Sequence, residues 1–148
     1  MTSGTHFFSH FDTNPINMIP TLWQLILVGC GGAVGAMLRL CANQLTVYLW
    51  GERFPWGTLI VNLIGCFLLG FVIRLGAPYV SENIRLAIGV GLLGGLTTFS
   101  SFSAEIWIRI NSEDWPLAIV TLLANVTGGL LLVGLGAGLA SIWLGPES

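Results

Sequence analysis

Residues 91–105 read GLLGGLTTFSSFSAE, flanked by IRLAIGV (84–90) and IWIRI (106–110). The flanks are apolar enough to sit in lipid. The run between them holds two adjacent glycines, five hydroxyls, two phenylalanines and a carboxylate. Gly94 and Gly95, then Leu96 and the β-branched pair Thr97–Thr98, are poor material for an unbroken helix. The stretch predicts a membrane helix interrupted near Gly94–Thr98. Irregular backbone at membrane depth is tolerated only where its freed carbonyls face protein, water or an ion.

The whole chain fits that setting. Its 148 residues are 54% hydrophobic and 8% charged, with a mean hydropathy of +0.84, whereas a soluble domain carries roughly a quarter charged residues. There is no lysine, and a net charge of −2 gives no basic surface for nucleic acid. Cys30, Cys41 and Cys66 lie singly in apolar segments and read as small buried hydrophobes. His6 and His10 fall in the leader MTSGTHFFSHFDTNPINMIP, which lacks the basic start and apolar core of a signal peptide. Residues 1–20 are expected to be a disordered polar extension, and residues 21–148 one membrane domain.

A bilayer core takes about 20 apolar residues as helix. Four segments meet this, at about 22–45, 57–75, 84–110 and 115–144. Their connectors, YLWGERFPW, GAPYVSEN and NSEDW, are too short to fold separately. The expected class is therefore an all-α integral membrane protein with four transmembrane helices, the third broken. Trp50, Trp56, Tyr79 and Trp115 fall at span ends, where amphipathic rings settle among headgroups. Arg39, Arg53 and Arg109 fall toward one face, Arg74 and Arg85 toward the other. So even a balance leaves insertion in both directions open beside a single fixed topology. Gly31, Gly35 and Arg39 recur every fourth residue in the first span, and Gly134 and Gly138 repeat that spacing in the fourth. Small residues four apart let helix backbones approach.

Packing does not account for the polar positions. Thr58, Asn62 and Gly65 share one face of the second span, and Thr121 and Asn125 share another with Gly128 and Gly129. Either asparagine alone reads as an interhelical hydrogen bond; two in this company suggest a polar seam. Beyond the break, Thr98, Ser101 and Glu105 fall at i, i+3 and i+7 with Phe102 beside them, and Phe99 and Phe102 are i, i+3 neighbours. One or two such hydroxyls would simply bond back to their own helix, but five with a carboxylate strain that account. Glu105 reads equally as a functional ionisable group within a span or as an interfacial partner of Arg109 at i+4. Amide N–H and hydroxyl groups are donors, and an aromatic ring has a positive edge. The lining carries no ring of carboxylates, so a narrow polar route favouring a small anion is the reading from residues alone.

Three motifs, GGAVGAMLR (31–39), GTLIVNLIG (57–65) and GGLTTFSSFS (94–103), together resemble the CrcB/Fluc fluoride channels, in order and in register over three of the four spans. The resemblance implies an antiparallel, dual-topology homodimer in the inner (plasma) membrane of a prokaryote. It also implies two narrow pores that passively export fluoride from the cytoplasm, lowering its toxicity. By motif position, Asn62 matches a pore-lining asparagine, and Phe99 and Phe102 match paired rings whose edges contact fluoride. Gly94 and Thr97 match positions whose backbone carbonyls hold a structural Na+ at the dimer centre. Arg39 matches an arginine of structural role, Ser101 stands where threonine is usual, and Glu105 matches a position near the route. The fourth span departs most: if Asn125 takes the place of a serine, Thr121 replaces a tyrosine and Gly129 a second serine. The fluoride pathway expected here comprises Asn62, Thr98, Phe99, Ser101, Phe102, Glu105, Thr121 and Asn125.

The main alternative is a proton-coupled four-span exporter of small cationic compounds using Glu105 as its coupling carboxylate. An enzyme is not expected, because the spans hold no nucleophile–base pair and no histidine or cysteine pairing.

Overall fold

A computed structural model of the chain describes residues 19–144, so most of the leader, with its expected disorder, lies outside the described residues. The regular structure among them is helical, and four helices are long and apolar enough to cross a membrane. The first span is α1 (Leu22–Trp50) and the second α2 (Trp56–Tyr79). The third, Glu82–Asn111, is composite: α3 (Glu82–Arg85), a π-helical stretch Leu86–Leu93, a single turn α4 (Gly94–Leu96), and α5 (Phe99–Asn111). The fourth is α6 (Trp115–Leu144). The expected spans are all present, and the first is longer than its apolar run suggests.

Local chemistry explains the ends. Thr21 and Gln24 form a reciprocal capping box at the start of α1, the Thr21 hydroxyl accepting from Gln24 N at 3.2 Å and Gln24 Oε1 accepting from Thr21 N at 2.9 Å. Gly51 ends the helix at φ 76°, and Gly76 kinks α2 at φ 61°, both left-handed positions that suit glycine.

The third span breaks, but not at its glycines. Gly94 is helical at φ −64°, ψ −34°, whereas Thr97 and Thr98 are extended, at ψ 156° and 119°. The β-branched pair takes the extended backbone it prefers. Gly95 serves packing instead: a Cβ there would meet the Gly32 carbonyl oxygen at 2.5 Å. The wider winding of Leu86–Leu93 gave no signal in the sequence.

The spans pair first with third and second with fourth. Backbones meet at the crossings. A Cβ on Gly31 would collide with the Ala87 carbonyl oxygen, and one on Gly35 with that of Leu92. On the fourth span the close contact is at Gly136, against the Phe67 carbonyl, while Gly134 and Gly138 have open space within 4 Å. The spacing expected to mark a crossing there faces outward in this chain. The cysteines also differ from expectation: Cys30 and Cys41 are exposed and Cys66 is half-buried. The outer face of a membrane helix bundle is as apolar as its core, so an apolar neighbourhood does not place a thiol inside.

Candidate functional site

A polar seam runs where α2, the break and α6 meet. Thr58 and Thr121 are almost fully buried, at 1% and 0% exposure, and Thr98, Phe102 and Asn125 are buried with them. The break is what Asn62 holds. Its Oδ1 accepts from the Thr98 N–H at 2.9 Å while its Nδ2 donates to the Thr98 carbonyl at 3.3 Å, gripping one residue by both backbone groups. In a continuous helix that N–H would go to the Gly94 carbonyl. The same Nδ2 donates to Asn125 Oδ1 at 3.0 Å, and Asn125 Nδ2 donates to the Thr121 carbonyl at 3.0 Å. The two asparagines that share faces with threonines in the sequence therefore meet across the helices.

Thr98 also starts α5. Its Oγ1 accepts from the Ser101 N–H at 3.1 Å and lies 3.1 Å from Ser101 Oγ and 3.3 Å from Ser100 Oγ, so the break doubles as an N-cap. Replacing Thr98 by alanine is expected to lower stability by about 1 kcal/mol, with Thr98→Ser restoring most of it. Denaturation midpoints of the purified protein in mild detergent measure both.

Other hydroxyls bond within their own helices. Thr121 Oγ1 donates to the Leu117 carbonyl at 2.8 Å and Thr97 Oγ1 to that of Leu93 at 2.9 Å. The phenylalanine pair lies with ring centroids 5.8 Å apart and planes at 60°. The two rings have different surroundings: Phe102 is 6% exposed, Phe99 79%.

Glu105 does not take its hydrogen bond from Arg109. Its Oε1 accepts from Thr58 Oγ1 at 2.5 Å, across from α5 to α2, and its buried Oε2 has no hydrogen-bond partner. Sequence spacing missed this link, although Thr58 stands one turn before Asn62 on the same face. Arg39 reaches from α1 to the break, its Nη1 lying 3.5 Å from the Thr97 carbonyl, the outer limit of a hydrogen bond. Gly94, the first residue of α4, is exposed. Of the expected site residues, Asn62, Thr98, Ser101, Thr121 and Asn125 thus form one connected cluster, Phe102 is buried nearby on α5, Glu105 pairs separately with Thr58, one turn before Asn62, and Phe99 points away from the chain's own core.

Residues 26–137 match the family model described as "CrcB-like protein, Camphor Resistance (CrcB)". A Dehalococcoides mccartyi protein named "Fluoride-specific ion channel FluC" is 45% identical over 121 residues, covering 80% of this chain and 93% of its own length. One of the same name from Shewanella frigidimarina is 45% identical over 114 residues, 76% of this chain and 92% of its own. Another, from Shewanella baltica, is 40% identical over 114 residues. The match runs from the first span through most of the fourth and includes every residue of the seam, and the chain is a multi-pass membrane protein belonging to the CrcB family.

Proposed function

We infer that the chain is a fluoride-selective channel that lets fluoride leave the cytoplasm down its gradient. The observation that carries this is the family membership, with relatives named as fluoride-specific ion channels at 45% identity. The seam supplies chemistry that suits the reading. It is buried, and it is built from amide and hydroxyl groups with aromatic rings close by. Fluoride is small and strongly hydrated, so a route for it must offer donors that replace its water. No covalent step is involved.

The functional unit in this reading is an antiparallel pair of chains with dual topology in the inner membrane of a prokaryote. The exposed Phe99 ring supports it, since an aromatic group at the edge of the seam would be covered by a second copy. The near-even division of arginines between the two faces supports it too. A structural Na+ would be held by the backbone carbonyls of Gly94 and Thr97. Gly94 fits, because the Thr98 N–H that would occupy its carbonyl is given to Asn62. The Thr97 carbonyl faces Arg39 on one side and keeps a second lone pair. Bound there, the ion would tie the broken third spans of two chains together.

The cation-exporter alternative has less to stand on. Its coupling carboxylate would be Glu105, one oxygen of which is already engaged by Thr58. Fluoride efflux from liposomes that is indifferent to an imposed pH gradient is expected; flux that follows the pH gradient would favour the exporter.

A further inference from the structure

Gly65 is buried on α2 one turn after Asn62, and it meets the other threonine of the break. A Cβ added at Gly65 would collide with Thr97 Cγ2, so the glycine leaves a notch that seats this methyl group. The other substituent on the same carbon is fixed too: Thr97 Oγ1 donates to the Leu93 carbonyl at 2.9 Å. A β-branched side chain is stiff about χ1. Any other rotamer gives up the bond to Leu93 or the fit against Gly65.

The backbone follows from this seat. The Thr97 N–H still donates in helical fashion, to the Leu93 carbonyl at 2.9 Å. Its ψ of 156°, however, is about half a turn from the helical value of about −42°, so the Thr97 carbonyl points away from the path of the helix it ends. The peptide group joining Thr97 to Thr98 is held on its N–H by Asn62 Oδ1 at 2.9 Å. On its carbonyl side Arg39 lies at 3.5 Å, too far to hold it firmly. The direction of that carbonyl is therefore set from α2, by Asn62 acting on the peptide and Gly65 acting on the side chain.

We propose that Gly65 is a positioning residue for the cation site: by seating the Thr97 methyl it fixes the direction of the Thr97 carbonyl, and with it the affinity of the Gly94 and Thr97 carbonyls for Na+. A missing side chain at position 65 is thus a requirement of ion binding as well as of helix packing. An added Cβ leaves Thr97 two ways out. Rotation about χ1 gives up the Leu93 bond, and retreat of the residue from α2 draws the peptide off Asn62. Either one moves the carbonyl. The proposal rests on the sodium reading given above.

The test uses full-length protein in mild detergent, desalted into N-methylglucamine chloride. Retained sodium is read by elemental analysis, and melting temperature is followed as Na+ is added back. Wild type is expected to melt higher as Na+ rises, because an ion that binds only the folded protein stabilises it. In Gly65→Ala the Na+ concentration needed for this rise should increase by about tenfold to a hundredfold, the usual cost of losing a group that orients a metal ligand. A packing defect alone would lower the melting temperature equally with and without Na+. Thr97→Ser removes the methyl and keeps the hydroxyl that bonds Leu93, so the double variant Gly65→Ala/Thr97→Ser should regain most of the Na+ response, and the yield if the single variant folds poorly. A wild-type Na+ response in Gly65→Ala, or a double variant no better than Gly65→Ala, would overturn the proposal and leave the sodium reading intact. A wild-type protein that neither retains sodium nor responds to it would overturn the sodium reading and this proposal with it.

Discussion

Replacing Gly35 by leucine is expected to leave little or no correctly assembled protein. A Cβ at this position would collide with the Leu92 carbonyl oxygen and approach Leu96 N at 2.7 Å and the Gly95 carbonyl carbon at 3.0 Å. All three are backbone atoms of the third span, so no side chain can swing aside. Overpacking costs about 1–3 kcal/mol where side chains can adjust, and more where they cannot. Set against a total stability of about 5–15 kcal/mol, a cost beyond 3 is enough to matter. The consequence reaches the seam, because the third span carries the break that Asn62 grips. Gly29→Leu is the control: the same helix, with nothing within 4 Å of the added Cβ. Monodisperse yield and melting temperature in detergent should fall sharply for Gly35→Leu and stay near wild type for Gly29→Leu.

Phe99→Ala should do the opposite, sparing the fold and stopping transport. The ring is 79% exposed, so its removal leaves no cavity inside the chain. Its place is the first residue of α5, directly after Thr98 and 5.8 Å from the buried Phe102 ring. Ring edges carry positive potential, and an anion stripped of water depends on every such contact. Efflux of fluoride is expected to fall by about a hundredfold or more, equivalent to ~3 kcal/mol in the barrier. Phe102→Ala should lower both efflux and stability, since that ring is packed inside. The contrast between the two variants, read by efflux and by melting together, separates a transport role from a packing role.

Much of the architecture was legible because the bilayer imposes it. Length, apolar runs and end-placed tryptophans located four spans, and the coincidence of Gly94 with Thr97–Thr98 located the interruption. What the pattern could not resolve was which residues bend. The glycines looked like the weak point, yet both remain helical, Gly95 lying directly against the Gly32 backbone, and the threonines extend. The same limit applies to Gly134 and Gly138. Four-residue spacing marks a possible crossing, but only tertiary packing decides that Gly136 is the one used.

The seam was half legible. Helical register placed Asn62 with Thr58, and Asn125 with Thr121, on common faces; that the two faces meet is a tertiary fact. Spacing also offered Arg109 to Glu105 at i+4, and the carboxylate turned to Thr58 on another span. Local pairing is visible in sequence, whereas a partner 47 residues away is not. Phe99 and Phe102 sit at a spacing that suggests shared surroundings, but one faces into the chain and the other out.

The most direct test is efflux from liposomes holding the purified full-length protein, loaded with equal fluoride and chloride and followed with electrodes selective for each. Fluoride should leave rapidly while chloride stays behind. Chloride leaving as fast as fluoride, or no fluoride leaving at all, would contradict the account.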